Sequence, residues 1–497
     1  MIDWLALTVF AALFAGVTVL GFLAARWRRG DLNQLHEWGL AGRRFGTVIT
    51  WFLLGGDLYT AYTFIAVPAL VYGAGALGLF SIPLVVIAFP LLFMVMPRLW
   101  KLARDHGYVT SADLVGNQYR SRSLALAIAF TGILATLPYI ALQLVGMQVV
   151  LAALGLPGDL PLLLAFVILA GYTYFSGLRA PALIAVVKDV LIYVTVIAAV
   201  IVVPARLGGY SAVMAAIPPA KLLLSPQQFS SYATLALGSA LALFMYPHSM
   251  TGLFSSNSAN VIRRNAALLP AYSILLFFMA LLGFMALAAG IQPQAPYGAQ
   301  WVVPGLFLQV FPSWFVGVAF SAIAIGALVP ASIMSIAAAN LFSRNIYREY
   351  LRPHTSAVEE ARTAKLASLI VKVGALAFIV IVPLQYAINL QLLGGVWIIQ
   401  TLPAVVLGLY VRWLNRWALL AGWAVGMLVG TLMAVSQNFA SVFPLSVDGL
   451  VVPGYSAFWA FLANLAVCIA ISLAILLASR VRDLTSPIRT NLEYTSV

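Results

Sequence analysis

The amino-acid sequence predicts an all-α membrane protein whose chain crosses the bilayer thirteen times. Of its 497 residues, 63% are hydrophobic and 8% are charged, whereas soluble domains carry about 25% charged residues. The apolar residues gather in thirteen segments, most of which approach or exceed the roughly 20 residues that cross a bilayer. The lysines and arginines lie almost entirely in alternate loops between these segments. A bilayer can solvate this much apolar surface, whereas water cannot.

We call the thirteen predicted transmembrane helices spans 1 to 13. They cover residues 4–26, 46–72, 77–101, 123–154, 159–176, 182–205, 231–256, 266–290, 312–343, 367–389, 391–411, 415–436 and 456–479. Span 1 differs from a cleavable signal peptide, because the acidic Asp3 precedes it and Arg26, Arg28 and Arg29 follow its apolar run. We therefore expect span 1 to be a membrane helix.

The distribution of basic residues predicts the orientation of the chain. Cytoplasmic loops are enriched in Lys and Arg, so the basic residues after span 1 place the N-terminus outside and the C-terminus in the cytoplasm. With this orientation, all of the 27 Lys and Arg except Arg206 and Lys221 lie in or near cytoplasmic loops. The net charge of +13 therefore comes from basic residues on the cytoplasmic side of a bacterial inner membrane. We predict no nucleic-acid partner.

Composition also excludes several classes of protein. The single cysteine, Cys468, excludes a disulfide or a cysteine-based metal site. One intramembrane histidine, His248, without a cluster of metal ligands argues against an intramembrane enzyme, so we predict no catalytic residue, metal or cofactor. Residues 480–497 are too few for a catalytic or signalling domain. We expect one transmembrane domain over residues 1–497, surrounded by lipid and functioning as a monomer.

Two spans carry polar, helix-breaking residues at membrane depth. Residues 55–57 (Gly-Gly-Asp) interrupt span 2, and residues 246–248 (Tyr-Pro-His) interrupt span 7. Unwound backbone inside a bilayer is tolerated only where it is buried in protein or lines a cavity. Glycine pairs also serve helix packing, but two interrupted helices in corresponding positions are typical of the central site of a transporter. We therefore expect unwound backbone at both places.

The two interrupted spans also predict an internal symmetry. Span 2 runs from inside to outside, and span 7, five spans later, runs from outside to inside. They therefore begin two inverted five-helix repeats, spans 2–6 over residues 46–205 and spans 7–11 over residues 231–411. Residues 1–45 supply one preceding helix and a cytoplasmic loop, and residues 412–497 supply two following helices and a tail.

Five stretches of the sequence, in this order along the chain, carry a family resemblance. They are 39–44 (GLAGRR), 55–59 (GGDLY), 176–180 (SGLRA) with Lys188 and Asp189, 247–248 (PH) and 345–350 (NIYREY). On these stretches the chain resembles the sodium:solute symporter family, which includes the sodium/proline symporter, the acetate permease and the sodium/glucose transporters. The resemblance implies a LeuT-type inverted-repeat fold, alternating access and secondary active transport.

Two of these regions resemble one branch of the family most closely. Residues 246–273 and 187–189 are similar to the monocarboxylate permeases, which implies import of lactate, pyruvate, acetate or propionate. The alternative is a Na⁺-coupled symporter for an amino acid such as proline or alanine. A channel, the remaining rival, would show uptake without saturation.

The resemblance also implies a sodium site, and the sequence departs from it. In this family Na⁺ lies between carbonyl oxygens of the broken span 2 and two hydroxyl residues on span 9. Those two positions fall on Val329 and Pro330, whose side chains offer no oxygen to a hard cation. Because Pro330 has no amide hydrogen, the carbonyl oxygen of Gly326 is available as a ligand. Ser332 and Ser335 lie nearby, and their hydroxyl oxygens are alternative ligands.

Lys188 on span 6 offers a different source of positive charge. In Na⁺-independent transporters of this fold, a basic residue on the corresponding helix takes the vacated sodium position. We therefore favour H⁺ over Na⁺ as the coupling ion, the alternative being that Lys188 extends its ammonium to the cytoplasmic surface. The predicted coupling residues are Asp57, Lys188, Asp189, Gly326, Val329 and Pro330.

The helix breaks also predict the chemistry of the substrate. Free backbone amides and helix dipoles at a break favour an anionic group, so the expected partner is a small organic anion. Tyr139 and Gln143 lie four residues apart on span 4 and share one face. The predicted substrate-binding residues are Gly55, Gly56, Asp57, Tyr59, Thr63, Tyr139, Gln143, Tyr246, His248, Trp397 and Gln400.

Overall fold

The computed structural model describes residues 2–28, 30–381 and 387–485, and helices make up most of this part of the chain. The first nine α-helices are α1 (Trp4–Leu23), α2 (Leu35–Leu40), α3 (Thr47–Leu58), α4 (Val67–Ala74), α5 (Ser81–Asp105), α6 (Ser111–Tyr119), α7 (Arg122–Ala153), α8 (Asp159–Ser176) and α9 (Arg179–Arg206). They are followed by α10 (Tyr210–Ala215), α11 (Pro219–Leu222), α12 (Phe229–Leu243), α13 (Pro247–Phe254), α14 (Ala259–Tyr272), α15 (Ile274–Ala288), α16 (Val302–Val310) and α17 (Ser313–Leu341). The last helices are α18 (Ala357–Ile381), α19 (Ile388–Ile398), α20 (Leu402–Val405), α21 (Arg416–Ser436) and α22 (Ser456–Thr485).

The predicted spans overlap these helices, except that residues 382–386 of span 10 lie outside the described residues. The number of spans stays a prediction. In the described residues, nine helices are long and apolar enough to cross a membrane, or ten if α12 and α13, bent by 46°, form one span. Residues Tyr62–Asp105 count as one helical run of 44 residues, although this run holds half of span 2 and all of span 3. The repeat boundaries at 46–205 and 231–411 likewise stay predictions.

Helix α17 forms the centre of the bundle. The helical run Ser313–Leu351 begins with α17, and 94% of its most hydrophobic 18-residue stretch is buried. The corresponding share is 28% for the outer helices that begin at Trp4 and Ser456. It packs against α1, α7, α9 and α18. Small residues permit this close packing, as at Gly317, where a Cβ would lie 2.5 Å from the Ala6 carbonyl oxygen. These four helices therefore pack around one buried helix.

A β-hairpin between α21 and α22 was not predicted. Strands β1 (Val442–Val447) and β2 (Leu450–Tyr455) pair antiparallel, with Pro444 opposite Pro453. Proline is unusual inside paired strands, which hid the strand pattern in the sequence. The hydroxyl groups of Ser230 and Ser231 donate to the Pro453 carbonyl at 2.7 and 3.2 Å. The hairpin is thereby joined to the start of the interrupted span 7.

The predicted orientation can be checked with single cysteines. In a Cys468→Ser background, which removes the buried native thiol, we expect Asp448→Cys in the hairpin turn to react with a membrane-impermeant maleimide on intact cells. Ser356→Cys, in the loop before α18, should react only after permeabilisation. Labelling of Ser356→Cys on intact cells would contradict an odd number of crossings between the two positions or the assigned sidedness.

Candidate functional site

Span 2 is interrupted between α3 and the helical turn Tyr62–Ala66. Helix α3 ends at Leu58, and Tyr59 leaves the helix with φ −96° and ψ 91°. The unwound backbone was predicted at residues 55–57. This position was wrong by a few residues, since Gly55 and Gly56 are helical. Their missing side chains make room for neighbours, because a Cβ on Gly55 would lie 2.7 Å from the Tyr272 ring and one on Gly56 would lie 2.8 Å from the Lys188 Nζ atom.

Side chains replace the hydrogen bonds that the helix loses at this break. The Ala61 amide donates to the Gln143 Oε1 atom at 3.2 Å, and the Tyr62 amide donates to the Thr60 hydroxyl at 3.0 Å. The Thr60 amide donates to the Thr63 hydroxyl at 3.0 Å. A polar backbone group left unpaired in a buried site costs several kcal/mol, so these bonds stabilise the break. Gln143 and Thr63 thus accept hydrogen bonds from backbone amides at the break. Thr60 does the same, although it was not among the predicted site residues.

The Lys188 ammonium lies against backbone carbonyl oxygens at the same break. Lys188 is fully buried in α9, and its Nζ atom donates to the carbonyl oxygens of Gly56 at 2.6 Å and Tyr59 at 3.0 Å. It lies 2.7 Å from the Asp189 Oδ1 atom. The alternative that Lys188 extends to the cytoplasmic surface is therefore wrong. The side chain of Asp57 lies outside the described part of the structure.

Asp189 is buried beside Lys188 and faces α3. A Cβ on Gly56 would lie 3.3 Å from its Oδ1 atom. An aromatic cluster lies against the same region of α3, with the ring of Tyr272 at 4.2 Å from the Tyr59 ring and 5.2 Å from the Tyr193 ring. The Tyr59 hydroxyl donates to the Tyr272 carbonyl at 2.5 Å. Tyr59 therefore fixes α3 to α14, a role in packing that the sequence did not indicate.

Span 7 is interrupted between α12 and α13, at residues 244–246. The break lies slightly earlier than the predicted residues 246–248, since Pro247 and His248 are already helical. Tyr246 has an extended ψ of 138°, and Pro247 is the first residue of α13, where a missing amide hydrogen is tolerated. The rings of Tyr139, Tyr246 and His248 lie together, with centroids 5.2 to 5.3 Å apart. All three residues are buried. This aromatic cluster lies at the N-terminus of α13.

Two predicted substrate residues bond to later helices. The Trp397 indole donates to the Thr431 hydroxyl of α21 at 3.0 Å. The Asn464 amide of α22 donates to the Gln400 Oε1 atom at 3.0 Å. The polar groups of Trp397 and Gln400 therefore bond to the two following helices in this structure, and their assignment to the substrate site stays a prediction. These contacts depend on tertiary packing, which the sequence of a single helix does not indicate.

The positions implied for a sodium site lie on α17. A Cβ on Gly326 would lie 3.8 Å from the Tyr59 carbonyl oxygen, so α17 passes next to the break. Val329 and Pro330 are buried on the same helix. Ser332 bonds the Leu328 carbonyl at 3.0 Å and lies 3.3 Å from the Tyr172 hydroxyl of α8. Its hydroxyl therefore faces α8, not the break.

A buried ion pair at the N-terminal end of α9 explains the 176–180 stretch. The Arg179 guanidinium is buried and donates to the Glu37 carboxylate and, at 2.8 Å, to the Glu37 carbonyl. Arg44 donates to the same carboxylate. Gly177 has φ +55°, and a Cβ there would lie 2.3 Å from the Trp38 carbonyl oxygen, so glycine is needed at this position. These contacts join the loop after α1 to the base of α9.

The other family-like stretches join loops to helix ends. Asn345 accepts from the Thr110 hydroxyl at 2.7 Å and donates to the Asp113 carboxylate at 2.7 Å. Arg43 donates to the carbonyl of Phe254, at the end of α13, at 3.3 Å. The stretches 39–44 and 345–350 therefore stabilise the packing of the loops on this side of the bundle.

A helical bundle built around two interrupted helices, with buried charge at one break, defines a secondary solute transporter and not an enzyme. The family model described as the sodium:solute symporter family matches residues 38–430. The chain belongs to the sodium:solute symporter family.

Comparison with individual proteins agrees with this assignment. The chain is 55% identical over 479 residues to a monocarboxylate transport permease protein of Rhizobium johnstonii, covering 95% of this chain and 97% of that one. It is 32% identical over 470 residues to the uncharacterized symporter YodF of Bacillus subtilis, covering 93% and 91%. A solved structure of a substrate-bound, outward-open Na⁺-coupled sialic acid symporter matches with a TM-score of 0.78 at 15% identity, covering 95% and 98%. This last likeness shows the LeuT-type fold alone.

Removing the Gln143 amide should destabilise the break in span 2. In Gln143→Leu the Ala61 amide loses its acceptor, so we expect the free energy of unfolding to fall by about 1 to 3 kcal/mol and the apparent melting temperature in detergent to fall. Gln309→Leu, the same change at an exposed position, should leave the melting temperature nearly unchanged. Equal melting temperatures for both variants would argue against this role for Gln143.

The Glu37 ion pair should give stability that depends on pH. Burial raises the pKa of the Glu37 carboxyl, but Arg179 and Arg44 lower it further, so that it lies below the ordinary value of 4.5. The contribution is therefore present above pH 4.5 and is lost as the pH falls through the lowered pKa.

We expect Glu37→Gln to lower the apparent melting temperature at pH 7, with a loss of about 3 to 5 kcal/mol because the buried Arg179 loses its partner. The difference from wild type should shrink in acid. Glu349→Gln, which breaks an exposed pair with Arg122, should cost about 0 to 1 kcal/mol. A Glu37→Gln deficit that stays constant down to pH 3 would exclude the linkage.

Proposed function

We propose that this symporter imports small monocarboxylates such as lactate, pyruvate, acetate or propionate by alternating access. The observation that carries the proposal is the 55% identity over 95% of the chain to a monocarboxylate transport permease protein. The proposal places the carrier as a monomer in a bacterial inner membrane, with its C-terminus in the cytoplasm.

The cluster of Tyr139, Tyr246 and His248 is the proposed substrate site. The positive end of the α13 dipole favours one carboxylate, and the three aromatic rings offer polar edges next to a small apolar surface. The Tyr246 hydroxyl donates to the Gln391 carbonyl at 2.8 Å, which fixes the ring. A single helix N-terminus matches one carboxylate, which favours a monocarboxylate over a dicarboxylate.

Lys188 is the proposed coupling group, with H⁺ as the coupling ion. Its ammonium uses the Gly56 and Tyr59 carbonyl oxygens, which are the kind of oxygens that a sodium ion would need. Val329 and Pro330 add no side-chain oxygen on the opposite helix. A tethered ammonium therefore takes the place of a bound cation. Protonation of Lys188 would stabilise this packing, and release of the proton would favour the other access state.

Asp189 compensates the charge of the protonated Lys188 in a buried site. Its carboxylate lies 2.7 Å from the Lys188 Nζ atom, and an isolated charge at this depth is costly. The pair is neutral when Lys188 is protonated and Asp189 is ionised, so neither charge is buried alone. Gly326 brings α17 against the same carbonyl oxygen, which connects the state of Lys188 to the central helix.

The substrate proposal predicts a preference and a residue. In proteoliposomes, labelled lactate, pyruvate, acetate or propionate should exchange with saturation, and sugars and dicarboxylates should not compete. His248→Ala should lower kcat/KM for uptake about tenfold or more, as expected for the loss of a hydrogen bond to a charged group. His354→Ala, at an exposed cytoplasmic position, is the control. Preferential transport of proline or alanine would favour the amino-acid alternative.

The coupling proposal predicts a response to pH and not to Na⁺. Accumulation driven by an imposed pH gradient should be the same in Na⁺, K⁺ and choline buffers. Lys188→Ala should abolish this accumulation and leave some exchange, and the exposed Lys101→Ala should behave as wild type. Because Lys188→Ala leaves Asp189 unpaired, the double variant Lys188→Ala/Asp189→Asn tests the same point with both charges removed. A strict Na⁺ requirement without a pH response would refute H⁺ coupling.

A further inference from the structure

A groove with a volume of about 380 Å³ opens at the cytoplasmic end of α5. It lies between α5, α6 and the chain that follows α20. Its lining residues are Arg98, Leu102, His106, Tyr108, Leu114 and Asn117, with four more from α6 and the chain after α20. None of the residues that line it is acidic. The groove is therefore a concentration of positive charge and hydrogen-bond donors.

The arginines of this groove keep their charge available for a ligand. Neither Arg98 nor Arg412 pairs with a carboxylate within the residues that the structure describes. A second cytoplasmic pocket, of about 270 Å³, shows the contrast, because Asp113 and Glu349 line it and Arg122 lies 3.1 Å from Glu349. The second pocket pairs Arg122 with a carboxylate of its own lining, whereas the first groove has no carboxylate to pair with Arg98 or Arg412.

Contacts within the protein hold these donors in place. The Arg98 guanidinium lies over the Tyr410 ring at 4.8 Å. The His106 ring stacks on the Tyr108 ring at 5.1 Å. The Gln118 amide donates to the Gly408 carbonyl at 2.6 Å and so joins α6 to the chain that carries Arg412. The groove is thus formed before any ligand arrives.

The surroundings of the groove indicate the depth of a lipid headgroup. Tyr410 is 50% exposed, Trp413 41% and Trp417 58%, and exposed aromatic rings of this kind mark the interface between membrane and water. One turn before Arg98 on α5, Met94 is 62% exposed among apolar neighbours, which is suited to an acyl chain. Basic pockets between helices on the cytoplasmic side bind anionic headgroups.

We propose that this groove binds the phosphate headgroup of an anionic phospholipid, with Arg98 and Arg412 on the phosphate. The groove connects α5, in the first predicted repeat, with the chain that ends the second repeat. A bound headgroup therefore bridges the two repeats at the cytoplasmic surface and stabilises their packing. The ligand chemistry, a phosphate, is shared with inorganic phosphate, and the experiment separates the two sources.

The test uses native mass spectrometry of the full chain, titrated with phosphatidylglycerol or with phosphatidylcholine of the same acyl chains. We expect one tight phosphatidylglycerol site in the wild type. Arg98→Gln and Arg412→Gln should each weaken it about fivefold, since one basic residue near an anionic headgroup contributes on this scale. The double variant Arg264→Gln/Arg362→Gln removes the same charge at exposed cytoplasmic positions and should retain the site.

Each arm has an outcome that overturns the proposal. Equal phosphatidylglycerol affinity in the wild type and in Arg98→Gln/Arg412→Gln would show that the groove is not the lipid site. Equal weakening in the Arg264→Gln/Arg362→Gln control would show an effect of net charge alone. Displacement of the lipid by inorganic phosphate at comparable concentration would assign the groove to a free anion. Arg412→Gln alone, at an exposed position, provides the comparison if the double variant does not fold.

Discussion

Inside a bilayer, every backbone amide and carbonyl must find its partner within the protein, and the break in span 2 shows how this requirement shapes the whole bundle. The amide of Ala61 needs Gln143, so α7 must lie against the break. The carbonyl oxygens of Gly56 and Tyr59 need a donor, so α9 must bring Lys188 to them. The positions of two long helices therefore follow from a few unpaired backbone groups on a third.

The two breaks satisfy this requirement by different chemistry. At the first break a buried cation faces carbonyl oxygens, whereas at the second break Pro247 removes one amide and aromatic rings surround the N-terminus of α13. The first break therefore holds a buried positive charge, whereas the second is lined by aromatic rings. The loops at the N-terminal end of α9 contribute packing to this arrangement, through Arg179 with Glu37 and Asn345 with Asp113.

Sequence reasoning located the family, the apolar segments and the two interrupted helices, because glycine, proline and charge at membrane depth are visible in one chain. It also placed Lys188 near the first break, since the resemblance supplied a position for it. It failed where the answer depends on neighbours. Gly55 has no side chain where the Tyr272 ring packs, yet it stays helical and the chain leaves the helix only at Tyr59, and the Trp397 indole donates to Thr431 of α21.

The ion pair between Arg179 and Glu37 holds the first turn of α9 in place, so a tilt of this helix would pivot there. Arg179 and Lys188 are nine residues apart, which is about 14 Å along a helix. A tilt of roughly 10° about the ion pair at Arg179 would displace the helix at Lys188 by about 2 Å, more than a hydrogen bond tolerates. A small tilt at the loop around Glu37 would therefore be enough to break the contacts that Lys188 makes at the break in span 2.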